Sequence, residues 1–449
     1  MGNSGVSARE LAAATPATRD RYVDLLRVAS LGVVVLGHWL MAVVDGGGQV
    51  GNLLAVVPGL QVVTWALQVM PVFFFVGGFS HALAYRSRPR YAAFLRARLQ
   101  RLLRPTMVFV GVWGIAALVI QLLGGDGGLT GVALRLVTQP LWFIGIYLAM
   151  VAFTPPLLTL HERWGWGAFG ALVGGAVVVD VVRFAADVPF VEFLNFAFVW
   201  LAIHQLGFLR ADGMIRLPGV LAGAGLTAAA LLVALGPYPL SMVGMPGEKV
   251  SNMAPPTLAL LAHGLWLVGA VELLKGPGAR FTARAGVWHK VVAANGIAMT
   301  AFLWHLTAML GVYGALLALD VRLPAPATAA WWAQAPLRIA AAAVLTALLV
   351  AAFRRFEQPA ATAPADGSAA LPPASGRGDP HLASLAALGV TLALFGVLGL
   401  SMVGFGGLLE GHSATLIAVD VTAPAAVGMA LAGWLLVERA GRGRNTRMS

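Results

Sequence analysis

Two ionisable residues interrupt the first long apolar run of the chain, Arg27-Val-Ala-Ser-Leu-Gly-Val-Val-Val-Leu-Gly-His38-Trp39. An ionisable side chain inside a membrane span is unfavourable by several kcal/mol unless it meets a cavity or a partner, so by default it marks a functional site. At ~100° per residue, eleven steps bring His38 back to within ~20° of Arg27 on one helix face, ~16 Å further along the axis. A neutral imidazole can take a proton from an attacking hydroxyl, which is otherwise a poor nucleophile. A guanidinium carries a permanent charge on a planar fork that suits phosphate. The pair therefore points to base chemistry at His38 and anion binding at Arg27, with Asp24 three residues earlier orienting Arg27.

A further set of cations precedes Pro105. Arg98, Arg101 and Arg104 recur at three-residue steps, so on a helix they share a face on which three cations can converge on phosphates. A basic cytoplasmic loop is the plainer account of the same residues. His305 lies in another apolar run, at a depth that lets it meet His38 and orient an acceptor or share its proton. Trp142, Glu192, Asn195, Asn252 and His263 fall at or below the outer face, where they can line an acceptor entrance. Glu357 follows Arg354 and Arg355 at the opposite face and reads as a structural ion pair. His81, His161, His204 and His289 fall near cytoplasmic helix ends and read as solvated, and Phe73, Phe74 and Phe75 read as helix packing.

The elements that hold these residues are membrane helices. The chain is 59% hydrophobic and only 11% charged over 449 residues, with a mean hydropathy of +0.82. Apolar runs of ~17 to 25 residues reach bilayer-spanning length. They begin near Leu25, Val57, Pro105, Leu141, Gly167, Phe190, Leu217, Pro255, Val291, Ala329, His381 and Ala414, which gives twelve helices. Cysteine is absent, so chemistry here uses oxygen and nitrogen groups. The net charge of +11 is almost all arginine in short segments between spans, which argues against nucleic-acid binding. No paired-histidine helix motif, cysteine set or intramembrane carboxylate cluster suggests a metal, and no glycine-rich phosphate loop suggests ATP.

Basic residues alternate between the two sides. With the N-terminus inside, the inner segments hold Arg9, Arg19, Arg21, the seven arginines from Arg86 to Arg104, Arg163, Arg210 and Arg216. They also hold Lys275, Arg280, Arg284, Lys290, Arg354, Arg355 and Arg377, and finally Arg439, Arg442, Arg444 and Arg447. The outer segments hold only Arg135, Arg183, Lys249 and Arg322. Both termini are then expected in the cytoplasm, with the protein in the cytoplasmic membrane. Residues 1–20 form a polar N-terminus without the short apolar region and cleavage site of a secretory signal. Residues 21–357 hold ten helices, and 358–380, rich in Ala, Pro, Gly and Ser, read as a flexible cytoplasmic linker. A further helix pair spans 381–437, and 438–449 form a basic tail.

Several stretches go beyond composition. Arg21-Tyr-Val-Asp24-Leu-Leu-Arg27 with His38 after ten residues, Phe73-Phe-Phe-Val-Gly-Gly-Phe79-Ser80, and Arg98-Leu-Gln-Arg101-Leu-Leu-Arg104-Pro105 resemble the opening of the membrane-bound acyltransferase family 3. Leu141-Trp142-Phe143, Leu303-Trp304-His305 and Arg354-Arg355-Phe356-Glu357-Gln358-Pro359 are similar to its later landmarks, in order, so the resemblance covers roughly residues 20 to 360. The family implies O-acylation of a hydroxyl on a carbohydrate, glycolipid or glycosylated metabolite, with cytosolic acyl-CoA as donor and a ten-helix core. This chain reads as differing in two added helices, in the hydrolase-like extracellular domain that some members append and that is not expected here, and in having Gly77 where many members carry serine.

The expected fold is therefore an all-α polytopic membrane protein with a ten-helix acyltransferase core and two additional C-terminal helices. His38 is the expected general base, assisted by His305, with Arg27, Arg98, Arg101 and Arg104 at the donor, Trp142, Asn195 and Glu192 at the acceptor, and Asp24 and Glu357 orienting. The rival reading is a proton-coupled transporter or flippase using Arg27, His38 and His305 along its path, although no internal repeat supports two halves. A non-catalytic membrane scaffold is the third.

Overall fold

The computed structural model describes residues 8–16, 18–87, 90–125, 128–245, 247–357, 380–409, 411–416 and 419–442. Twelve long helices organise it: α1 (Arg21–Met41), α2 (Met70–Ser87), α3 (Tyr91–Leu122), α4 (Pro140–Trp164), α5 (Trp166–Ala185), α6 (Asn195–Ala211), α7 (Pro218–Leu235), α8 (Leu258–Leu273), α9 (Ala298–Ala318), α10 (Ala329–Phe353), α11 (Pro380–Val403) and α12 (Ala423–Arg442). Two short antiparallel hairpins, β1 (Ala42–Val44) with β2 (Val50–Asn52) and β3 (Ser413–Leu416) with β4 (Val419–Thr422), are the sheet among the described residues. The protein is an all-α polytopic membrane protein. Among the described residues ten helices are long and apolar enough to cross a membrane, or eleven if the pair Leu258–Leu273 and Lys275–Ala283, bent by 52°, forms one span. The helix α12 is not among them, so the expected twelve spans are reduced.

Three expected helix starts are corrected. The third helix begins at Tyr91, so Pro105 lies inside it and the arginine run is helical. Residues 91–104 are rich in Ala, Leu and Arg, which favour helix, and Phe94, Leu95, Leu99, Leu102 and Leu103 are buried along it. Proline removes one backbone bond there, a loss that membrane helices tolerate. The ninth starts at Ala298 rather than Val291, because a separate helix, Ala285–Asn295, ends at Asn295-Gly296. The twelfth starts at Ala423 rather than Ala414. Thr415, Val419, Val421 and Thr422, all β-branched, form the β3–β4 hairpin before it, and the Thr415 hydroxyl donates to Asp420 at 2.7 Å.

The chain divides into two compact units, each discontinuous in sequence. The first comprises residues 1–83 and 156–347, the second 84–155 and 348–449. In the second, α11 packs on α12 and both pack on α3, and Glu438 of α12 lies 3.6 Å from Arg96 and accepts from Gln100 at 3.1 Å. The added helix pair is thus part of that unit's core. The linker at 358–380 lies outside the described residues, apart from the helical Pro380, and most of the basic tail, from 443 onward, lies outside them too.

The first unit is built around α6, which is buried on most of its length and packs on α5 and α8. One end of α6 is held by a polar knot. Asp180 on α5 accepts from Asn195 at 2.8 Å, from the Tyr238 hydroxyl at 3.0 Å and from the backbone amide of Leu258 at 2.8 Å. Burial, with the Asp180 charge beside it, holds the Tyr238 hydroxyl well above its usual range, so it stays a donor. At the other end Arg210 bridges Glu272 at 2.6 Å and Asp20 at 2.9 Å. Asp20 also caps α1, accepting from the amide of Val23 at 3.2 Å.

Candidate active site

His38 and His305 meet, as the depth arithmetic anticipates. The Nδ1 of His38 lies 3.1 Å from the Nε2 of His305, with ring centroids 5.0 Å apart and tilted by 38°. The Nδ1 of His305 faces the carbonyl of Phe302, one turn earlier on α9. A carbonyl only accepts, so His305 carries its proton on Nδ1 and offers a lone pair at Nε2. His38 must then donate from Nδ1, the nitrogen nearer its own backbone. This leaves the Nε2 of His38 with a free lone pair, the form a general base requires. Burial is asymmetric. His305 is fully buried, whereas His38 is exposed at the protein surface although protein surrounds it at longer range. The indole of Trp39 donates to the carbonyl of His305 at 3.0 Å and fastens α1 to α9 beside the pair.

At the other end of the same α1 face, Arg27 donates to Asp24 at 3.1 Å and to the Ser80 hydroxyl of α2 at 2.8 Å. Asp24 also receives both arms of Arg19, at 2.6 and 3.0 Å. Two guanidiniums share one carboxylate, so the cluster keeps a net positive charge, and the Arg27 side chain remains 25% exposed. Such a centre attracts an anion. Ser80 is a partner that sequence reasoning missed, although it closes the Phe-rich stretch already singled out.

A family model described as an acyltransferase domain matches residues 20–355. The chain belongs to the membrane-bound acyltransferase family 3. It is an acyltransferase. No curated protein and no solved structure matches the chain.

The other expected site residues of this acyltransferase fall as follows. Glu192 is half-buried in a short 3-10 turn, Val191–Leu194, of the first unit. Asn195 is buried and gives its amide to Asp180, while its Oδ1 has no partner among the described residues. Asn252 donates to the carbonyls of Pro239 and Ser241, and His263 bonds the carbonyl of Trp65 at 2.9 Å. In the second unit, Arg98 and Arg104 are half-buried and Arg101 is exposed on α3, Trp142 is half-buried near the start of α4, and Glu357 is buried after the turn Arg354–Phe356. Arg101 and Arg104 have no carboxylate partner among the described residues.

Three of the four histidines read as solvated need correction, while His289 is half-buried. His81 and His204 are both fully buried and pair across α2 and α6 at 3.0 Å. His161 is buried against Asp212 at 2.9 Å. His81 and His204 are brought together by a close helix crossing at Gly78 and Gly207, where a Cβ on either glycine would overlap the opposite backbone. The Phe73 to Phe75 stretch packs as read, with Phe74 edge-on to Trp200 at 4.8 Å.

Proposed function

We propose that the enzyme transfers an acetyl or other short acyl group from cytosolic acyl-CoA to a hydroxyl of a carbohydrate, glycolipid or glycosylated metabolite, with His38 as general base. The observation that carries this reading is the Nδ1-to-Nε2 pairing of a surface-exposed His38 with a buried His305, which leaves the Nε2 of His38 free, on a helix face shared with the cationic Arg27 cluster. The acceptor oxygen attacks the thioester carbonyl carbon while its proton passes to the Nε2 of His38. The carbon–sulfur bond then breaks, and the leaving thiolate recovers that proton as CoA thiol. His305 accepts the His38 Nδ1 proton bond throughout and supports the imidazolium. Direct attack needs no acyl-enzyme, and the ~16 Å between Arg27 and His38 assigns the arginine to donor phosphate and the histidine to the reacting centre. The cationic face of Arg98, Arg101 and Arg104 is likewise suited to phosphate, and Trp142 and Glu192 have the exposure that an acceptor contact needs. The arginine distribution supports a cytoplasmic donor side in the cytoplasmic membrane, with both termini on that side.

Calorimetry of the purified chain with acetyl-CoA, together with release of CoA thiol in water, tests the donor. Binding with slow hydrolysis is expected; absence of both overturns the reading. Arg27→Gln should weaken acetyl-CoA about ten- to a hundredfold, the equivalent of one or two lost charge-assisted bonds. Arg27→Lys should fall between, because it keeps the charge without the fork. An unchanged affinity in Arg27→Gln would remove that residue from the donor site.

A further inference from the structure

A second arginine lies inside an apolar helix of the first unit. Arg338 is on α10, nine residues in from Ala329, and the span shows no carboxylate near it. Its guanidinium donates to the carbonyl of Trp331 at 3.1 Å and lies over the Trp331 ring at 4.6 Å and the Tyr313 ring at 6.0 Å. Among the described residues it has no ion-pair partner. A half-buried cation with donors left over is unfavourable in a span, and cation–π contacts of about 0.5–2 kcal/mol offset only part of that.

The position of this charge is specific. Arg338 lines a small pocket with Trp39, Met309 and Tyr313. Met309 and Tyr313 follow His305 by four and eight residues, so they share its face of α9 at ~6 and ~12 Å along the axis. Trp39 follows His38 directly and is hydrogen-bonded to His305, so the pocket adjoins the histidine pair. The Tyr313 hydroxyl donates to the carbonyl of Ala42 at 3.3 Å, which puts the pocket at the Met41 end of α1, the end away from Arg27. The guanidinium extends toward the Ala329 end of α10 and lies on Trp331 and Tyr313, which are only 3% and 4% exposed.

We infer that Arg338 binds an anionic group, carboxylate or phosphate, carried by the acceptor. The inference rests on the acyl-transfer reading and extends it to acceptor class. A bidentate anion satisfies the remaining N–H donors of the guanidinium and supplies the missing counter-charge. With that group anchored beyond Trp39, a hydroxyl elsewhere on the same molecule can reach the Nε2 of His38. Arg338 then orients the acceptor and takes no part in the proton transfer.

The test is calorimetry of the full chain in neutral phosphatidylcholine nanodiscs with methyl glucuronide, glucose 6-phosphate and uncharged methyl glucoside. At least one charged sugar is expected to bind tenfold or more tightly than methyl glucoside, and which one does so separates carboxylate from phosphate. Arg338→Gln should erase that ratio, while Arg338→Lys, which keeps the charge, should retain an intermediate one and serves if the glutamine variant does not fold. Equal affinities for charged and uncharged sugars, no measurable binding of either charged sugar, or a ratio that survives Arg338→Gln would overturn the inference. No acyl-CoA enters this assay, so its failure is distinct from a failure of donor binding.

Discussion

His38→Ala is expected to lower acyl transfer by ~10²- to 10⁴-fold, the usual contribution of a positioned base, while the protein stays folded. The reasoning follows from the proton inventory. The carbonyl of Phe302 fixes the His305 proton on Nδ1, and this obliges His38 to donate from its own Nδ1. Only the Nε2 of His38 then has a lone pair for a substrate. Because His38 is exposed at the protein surface, its removal opens no enclosed cavity, and little stability should be lost. His305→Phe keeps the ring volume but leaves the His38 proton without its acceptor, so it should also reduce transfer, by less than His38→Ala. The readout is mass spectrometry of envelope lipids, polysaccharides and secreted metabolites from cells expressing each variant, with thermal unfolding of the purified proteins as the check on folding. Full acylation by a well-folded His38→Ala protein would remove the base from His38.

The histidine pair was legible because both members sit in long apolar runs, where a rise of 1.5 Å per residue converts sequence position into depth. Arg27 was legible for the same reason, and so was the family, through motifs in a fixed order. The positive-inside count passes over Arg338, because it reads only the ends of spans. Yet Arg338 is as anomalous in its run as Arg27 is, and the same argument about intramembrane charge finds it. The pairing of His81 with His204 had no such signal. It depends on how closely α2 approaches α6, and the glycines that set this approach are common in membrane helices for many reasons. The register of Ser80 against Arg27 is equally a matter of packing between helices 53 residues apart. Helix starts failed where local preference competed with hydropathy, as in the basic first half of α3, whose Ala, Leu and Arg favour helix although its charges mimic a loop.

That helix crossing carries the second large effect. Gly207→Ala is expected to destabilise the protein markedly, and Gly207→Leu to abolish recovery of folded material. A Cβ at position 207 would run into the carbonyl of Phe75, the amide of Phe79 and the carbonyl carbon of Gly78, all backbone, so no side-chain rotation relieves the clash. Overpacking by a single group typically costs 1–3 kcal/mol when side chains can adjust, and here the helices themselves must separate. With Arg27 in the proposed donor role, separation should also affect function, because α2 carries Ser80 to Arg27 as well as His81 to His204. Gly207→Ala should therefore lower the thermal midpoint and weaken acetyl-CoA binding together, whereas Gly223→Ala, on α7 where a Cβ meets nothing within 4 Å, should change neither. Fluorescence-detected gel filtration and thermal unfolding in one detergent measure the stability, and calorimetry measures the donor. A Gly207→Ala protein with the wild-type midpoint would mean that α2 and α6 do not approach this closely, and the support that this crossing gives to Arg27 would fall with it.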